Sequence, residues 1–177
     1  KSLLMDGVIG DPFKARVSFC SAFPVYDNQP FLSQLEEFIL TDIGSHILDV
    51  TRFLFGEAES VYAHIQRINP AIKGEDVANV VMRMKNGMHC YTEMSYASIR
   101  EKEVFPQTLV FVEGSRGSIS LEAGFQIKIH TKKHNILFQE KPIEYPWAEP
   151  LYSVVHSSIV DCNRNILHAL QGSASAE

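Results

Sequence analysis

Cysteine is scarce in this 177-residue sequence, and none of the common metal-binding or redox spacings occurs. Cys20, Cys90 and Cys162 are widely separated, odd in number and include no C-x-x-C pair. This pattern excludes a disulfide framework and a zinc-finger type of site. A reducing compartment is the simplest setting for such cysteines, so we expect a cytoplasmic protein.

Long apolar runs and an excess of basic residues are also absent. No run approaches the roughly 20 apolar residues that a membrane-spanning helix needs. The 16 lysines and arginines are outnumbered by 21 aspartates and glutamates, which gives a formal net charge of −5. An acidic protein has no general attraction for nucleic acid or anionic lipid. We therefore expect neither nucleic acid nor a membrane among its partners.

A Gly-rich G-x-G-x-x-G turn, internal repeats and low-complexity tracts are missing as well. The first absence indicates that no Rossmann domain lies within this chain. The remaining composition, 45% hydrophobic and 21% charged, is typical of a globular protein. The length suffices for a core, and we predict a single domain over residues 1–177. A start at Lys1 rather than Met predicts that this domain is a piece of a larger protein.

Short strand-like segments joined by tight turns dominate the sequence. Strands are predicted at residues 13–23, 61–67, 76–84, 88–96, 108–112, 118–121, 125–130 and 136–139. Asn86-Gly87 between two apolar runs is a hairpin signal, because both residues tolerate positive φ. Residues 24–30 are predicted as a loop, and a last helix is predicted over residues 152–170.

Consecutive strands joined by short turns favour antiparallel pairing, because parallel neighbours need long crossovers. The predicted fold class is therefore α+β: a large, mostly antiparallel open sheet of about seven to nine strands with helices on one face. Apolar residues on both sides of one strand predict that the other face is apolar too: Val77, Val80, Val81, Met82 and Met84. A large exposed apolar face packs on another molecule or domain. We expect a homo-oligomer through this open sheet face.

Residues 41–56 predict one amphipathic helix with two different faces. At about 100° per residue, the apolar stripe contains Ile43, Ile47, Val50 and Leu54. The second stripe is polar and contains Asp42, His46 and Asp49. Thr41 or Asp42 is predicted to cap the start of the helix, and Gly56 to end it in a left-handed conformation.

Asp42 and His46, at spacing i, i+4, are the candidates for chemistry. A carboxylate beside an imidazole orients the ring and adjusts its pKa, which suits proton transfer. The spacing fits a structural role as well, since an acid near a helix N-terminus is favoured by capping and by the helix dipole. Zinc would need a third ligand that no spacing supplies, so we predict no metal site.

The sequence DIGSHILD at residues 42–49, followed by RFLFGE, resembles the D-x-G-x-H-x-x-D helix of the Gfo/Idh/MocA oxidoreductases. Three other segments resemble the same family in the same order. GVIGDP at 7–12 resembles the start of its C-terminal domain, 77–96 its central hairpin and VFVEGSRGSI at 110–119 its strand–turn–strand. The resemblance covers most of the chain. It implies the C-terminal domain of this family, with a sheet like that of glyceraldehyde-3-phosphate dehydrogenase.

Such a resemblance implies one half of a two-domain enzyme. In the family, hydride moves between NAD or NADP and a sugar, a cyclitol or a related polyol. The cofactor and a catalytic lysine belong mainly to an N-terminal Rossmann domain, so we expect the isolated chain to be inactive. By the motif, His46 is the general acid/base, and Asp42 orients it or holds the substrate. The alternative is a non-catalytic ligand-sensing or regulatory protein of the same architecture, although the presence of both Asp42 and His46 favours the enzyme.

Four further residues are candidate substrate contacts: Asp49, Tyr96, Glu93 and Arg16. For Asp49, a structural hydrogen bond is the alternative. Glu93 and Tyr96 lie near the end of a predicted hairpin strand, where the resemblance implies a pocket lining. Arg16 could reach an acidic substrate, although a solvated or interface arginine is commoner. The sequence identifies no cofactor-binding residue in this chain.

Overall fold

The computed structural model describes residues 1–172, which contain one large sheet. Its strands are β1 Pro12–Cys20, β2 Ala58–Gln66, β3 Val77–Met84, β4 His89–Ser95, β5 Leu109–Gly114, β6 Gly117–Glu122, β7 Gln126–Thr131 and β8 Asn135–Gln139. The α-helices are α1 Ser2–Met5, α2 Val25–Asn28, α3 Ser45–Phe55 and α4 Ser153–Leu170. Shorter helical turns cover Pro30–Gln34, Leu40–Gly44 and Pro150–Tyr152. Among the described residues, no helix is long and apolar enough to cross a membrane.

The eight strands lie in the order β2-β3-β4-β1-β5-β6-β7-β8. Every neighbouring pair is antiparallel except β1 and β4, which are parallel. Between these two strands the chain forms α2, α3, β2 and β3, which is the long crossover that parallel neighbours require. The predicted α+β class and its mostly antiparallel open sheet are confirmed.

The two faces of the central strands differ in burial. Alternate residues of a strand point to opposite sides of a sheet. On one side, termed the covered face, lie buried residues of β1, β3 and β4: Ala15, Val17, Phe19, Ala78, Val80, Met82, Cys90, Thr92 and Met94. Helix α3 packs on this side with Ile47, Thr51 and Phe55 buried.

The other side, termed the open face, is mixed rather than uniformly apolar. Five residues follow one another across neighbouring strands of this face: Tyr62, Val81, Tyr91, Arg16 and Phe111. Val81 is 40% exposed and Tyr91 is 38% exposed, whereas Val80 and Met82 are buried on the covered face. The prediction that β3 is apolar on both sides holds only in part, because Asn79 and Arg83 alternate with Val77 and Val81 on the open face of this strand.

The start of the predicted helix at 41–56 differs from the prediction. Residues Leu40–Gly44 form a wider π-type turn, and α3 begins only at Ser45. No side-chain cap occurs at either start, so the predicted cap by Thr41 or Asp42 is wrong. The helix end is as predicted, because Gly56 has φ +88°.

A second correction concerns residues 24–30, which include the short helix α2 rather than only a loop.

The chain divides into two compact units, Lys1–Gln139 and Glu140–Glu177. In the second unit, the Trp147 ring stacks on Tyr145 and on His156 with centroids 5.4 and 5.7 Å apart. The small and polar residues 173–177, for which the sequence predicts a loop, lie outside the described residues. The single domain over residues 1–177 stays a prediction.

Candidate active site

Glu75, a residue distant in sequence, replaces the missing cap at the start of the site helix. Its carboxylate Oε1 accepts the Leu40 N–H at 3.2 Å, and its carbonyl accepts the Ile39 N–H at 3.0 Å. The first amides of a helix lack partners within the helix and must find them elsewhere. Glu75 is only 7% exposed, so this contact anchors the turn to the segment before β3.

Gly44 allows the same turn to lie close to the covered face. A Cβ atom at this position would lie 3.2 Å from the Ile39 carbonyl oxygen and 3.4 Å from the Met94 sulfur. The Gly44 N–H donates to Ile39 O at 2.8 Å, the five-residue spacing of a π turn. The glycine of the D-x-G-x-H motif therefore has a packing role.

Asp42 is fixed by a hydrogen bond from Tyr96. The Tyr96 hydroxyl donates to Asp42 Oδ2 at 2.8 Å. Tyr96 is 9% exposed, and its ring stacks on Phe38 at 5.4 Å and meets Phe19 edge-on at 5.8 Å. A hydrogen bond to a carboxylate is stronger than one between neutral groups. The aromatic packing therefore holds the tyrosine, which in turn orients the carboxylate.

His46 and Asp49 are exposed on α3, three residues apart and on one side of the helix. Among residues 1–172, no hydrogen bond or ion pair holds the His46 ring, which is therefore free to meet a ligand. Of the predicted site residues, Asp42 and Tyr96 are joined by a hydrogen bond, and His46 and Asp49 lie on the helix that follows Asp42. Within the same described residues, no group of three or more His, Cys, Asp and Glu side chains is arranged to hold a metal ion.

Arg16 and Glu93 lie elsewhere, on the open face of the sheet. There they line a cavity of about 440 Å³ together with Ser18, Arg100, Phe111 and Glu122. The structure does not bring either residue to the Asp42–His46 surface. Glu93 points to the open face, whereas Tyr96, an odd number of residues later and just beyond the end of β4, packs against the covered-face residue Phe19. Their role as substrate contacts stays a prediction.

Tyr26 and Asp76 were not identified from the sequence, although both lie near the candidate site. Asp76 is 1% exposed and accepts the backbone N–H groups of Ile68 and Asn69. The Tyr26 ring packs on Phe38, and burial followed by the charges of Asp76 and Asp42 raises its pKa to about 12. The acidic pair at 75–76 before a strand of buried apolar residues was the only sequence signal available.

Comparisons with known proteins agree with this fold and this motif. The sequence matches the GFO/IDH/MocA C-terminal domain over residues 1–120. It is 40% identical to D-apiose dehydrogenase of Paraburkholderia graminis over 168 residues, which is 95% of this chain and 45% of that protein. The chain thus spans about half the length of the curated relatives it matches.

Solved structures show the same relationship. An oxidoreductase from Agrobacterium radiobacter, in complex with NAD+, L-tartaric acid and magnesium, has a TM-score of 0.96 and 33% identity, covering 100% of this chain and 52% of that one. Levoglucosan dehydrogenase, in complex with NADH and levoglucosan, has a TM-score of 0.77 and 16% identity, covering 100% of this chain and 54% of that one. At this identity the similarity shows the shared fold. The chain belongs to the Gfo/Idh/MocA family and corresponds to its C-terminal domain.

Proposed function

We propose that this chain is the substrate-binding domain of an NAD- or NADP-dependent oxidoreductase that acts on a sugar, a cyclitol or a related polyol. One observation carries the proposal: the Tyr96 hydroxyl donates to the Asp42 carboxylate at 2.8 Å, one helical turn before an exposed His46 ring that has no partner among residues 1–172. Similarity to D-apiose dehydrogenase supports the substrate class.

The residues present fit proton transfer beside a nicotinamide cofactor. When bound, such a cofactor supplies hydride exchange at a carbinol carbon. His46 takes the proton of the reacting hydroxyl during oxidation and returns it during reduction. Asp42 orients the ring or the substrate, and Tyr96 keeps the carboxylate in place. The proposal assigns no cofactor contact to this chain.

Substrate contacts beyond the pair remain proposals. We propose Asp49 and Tyr96 as substrate contacts, because Asp49 lies on the same side of α3 as His46 and Tyr96 contacts Asp42 directly. Arg16 and Glu93 lie on the open face of the sheet, so they would contact the same substrate only from that side.

We also propose that the protein is cytoplasmic and that it forms a homo-oligomer through the open face. The exposed Tyr62, Val81 and Tyr91 support assembly, because they are cross-strand neighbours on one side of the sheet. The net charge of −5 supports the absence of nucleic acid and anionic membranes among the partners.

A screen of the full-length protein tests the proposed activity. Aldoses, including D-apiose, cyclitols and linear polyols would each be offered with NAD+ and with NADP+, and reduced cofactor would be measured at its absorbance maximum. We expect turnover with at least one polyol. Tight ligand binding without turnover across the panel would overturn the enzyme and favour the regulatory alternative.

A further inference from the structure

Tyr26, on the short helix α2, shares an aromatic neighbour with Tyr96. The Tyr26 and Phe38 ring centroids are 5.3 Å apart, and those of Phe38 and Tyr96 are 5.4 Å apart. Phe38 is fully buried. Two tyrosines therefore pack on one buried ring beside the π turn that carries Asp42.

The hydroxyls of the two tyrosines are in different situations. Tyr96 donates its hydroxyl hydrogen to Asp42 Oδ2. The hydroxyl oxygen of Tyr26 is buried, and it has no hydrogen-bond partner among residues 1–172. Buried polar groups in native proteins are almost always paired, and an exception calls for an explanation.

Two carboxylates act electrostatically on the Tyr26 hydroxyl, and only one has an unused oxygen. The Oδ1 and Oδ2 atoms of Asp76 accept the N–H groups of Ile68 and Asn69 at 2.6 and 2.9 Å. Asp42 uses Oδ2 alone, and its Oδ1 accepts no hydrogen bond from the described residues. Burial and the two negative charges raise the pKa of Tyr26 to about 12, so its hydroxyl stays protonated and able to donate.

We propose that Tyr26 is a positioning residue for Asp42: in the substrate-bound enzyme its hydroxyl donates to Asp42 Oδ1. This inference rests on the proposed function, in which Asp42 orients His46 or the substrate. A single donor on one oxygen leaves the carboxylate plane free to turn, whereas one donor on each oxygen fixes it. A shift of a catalytic group by as little as about 1 Å lowers the turnover rate. A second donor that holds the Asp42 carboxylate in place therefore raises kcat.

The direct test is Tyr26→Phe in the full-length protein, because this change keeps the ring against Phe38 and removes only the hydroxyl. We expect kcat to fall about 10-fold with KM within about two-fold, which is the result for an interaction made in the transition state. The matched control is Tyr145→Phe, which removes a tyrosine hydroxyl that contacts Arg164 rather than Asp42, and for which we expect wild-type kcat.

A double-mutant cycle separates positioning from a structural role. In an Asp42→Ala background, which leaves no acceptor for the tyrosine, Tyr26→Phe should cause no further loss in the single-turnover rate of hydride transfer. Unchanged kcat for Tyr26→Phe alone, or equal losses in both backgrounds, would overturn the positioning role while the proposed function stands. Near-normal turnover of Asp42→Ala and His46→Ala would instead overturn the proposed function, and this inference with it.

Discussion

The covered and open faces are made by the same strands, yet they present opposite chemistry. Near the end of β4, Tyr96 is 9% exposed, packs in an aromatic cluster and donates to Asp42. Five residues earlier, Tyr91 is 38% exposed on the open face and is the register partner of Arg16 on β1. The difference lies in what each side packs against. Burial converts a tyrosine into an orienting group, whereas an exposed tyrosine is available for assembly.

The largest effect is expected from removal of the Phe38 ring, which packs on both Tyr26 and Tyr96. Phe38→Ala should lower the free energy of unfolding by about 3–5 kcal/mol, because a fully buried ring leaves a cavity. Urea denaturation of the full-length protein measures the change. Phe31→Ala, at a ring that is 59% exposed, is the control and should cost less than about 1 kcal/mol. Equal losses for the two variants would remove the distinction between the clustered and the exposed rings.

A smaller effect is expected from a charge placed on the open face. Val81→Lys should weaken self-association at least about 10-fold, because it puts a lysine among apolar side chains near Arg16 and would bury an unpaired charge. Sedimentation velocity over micromolar concentrations measures the dissociation constant. The control Met5→Lys, at an exposed residue of α1, should leave association unchanged. A strictly monomeric unmodified protein would contradict assembly through this face.

A still smaller effect is expected from the Tyr96 hydroxyl. Tyr96→Phe keeps the ring stacked on Phe38 and removes the donor to Asp42 Oδ2. We expect kcat to fall about 10-fold, equivalent to about 1.4 kcal/mol, from lost orientation of the carboxylate. Steady-state kinetics of the full-length protein measure it, with Tyr91→Phe on the open face as the control. An unchanged kcat would mean that the hydrogen bond has no catalytic role.

Local turn chemistry explains why the strands and helix ends were predictable. Gly56, which ends α3, and Gly87, in the turn between β3 and β4, have φ of +88° and +86°, each where the sequence placed a turn. The strands were likewise predictable, because apolar residues alternate with other residues along several of them. These signals depend on neighbouring residues, so a single sequence is enough to show them.

Long-range contacts explain the failures. Glu75 caps a turn 35 residues earlier, and no local pattern indicates this. Asp42 and His46 were found because a motif contains them. Tyr26 and Phe38 were missed, because they reach the site only through tertiary packing. The grouping of Glu93 with Tyr96 neglected strand alternation, which the sequence did contain.

The most direct test of the central claim is the kcat of His46→Ala in the full-length protein, measured beside His134→Ala at an exposed hairpin tip. In the proposed mechanism, the proton-transfer group is His46 on α3, the helix that packs on the covered face. This mechanism predicts a loss of about 10²-fold or more for His46→Ala, in line with general acid/base catalysis, and wild-type turnover for His134→Ala. Near-normal turnover of His46→Ala would contradict the account.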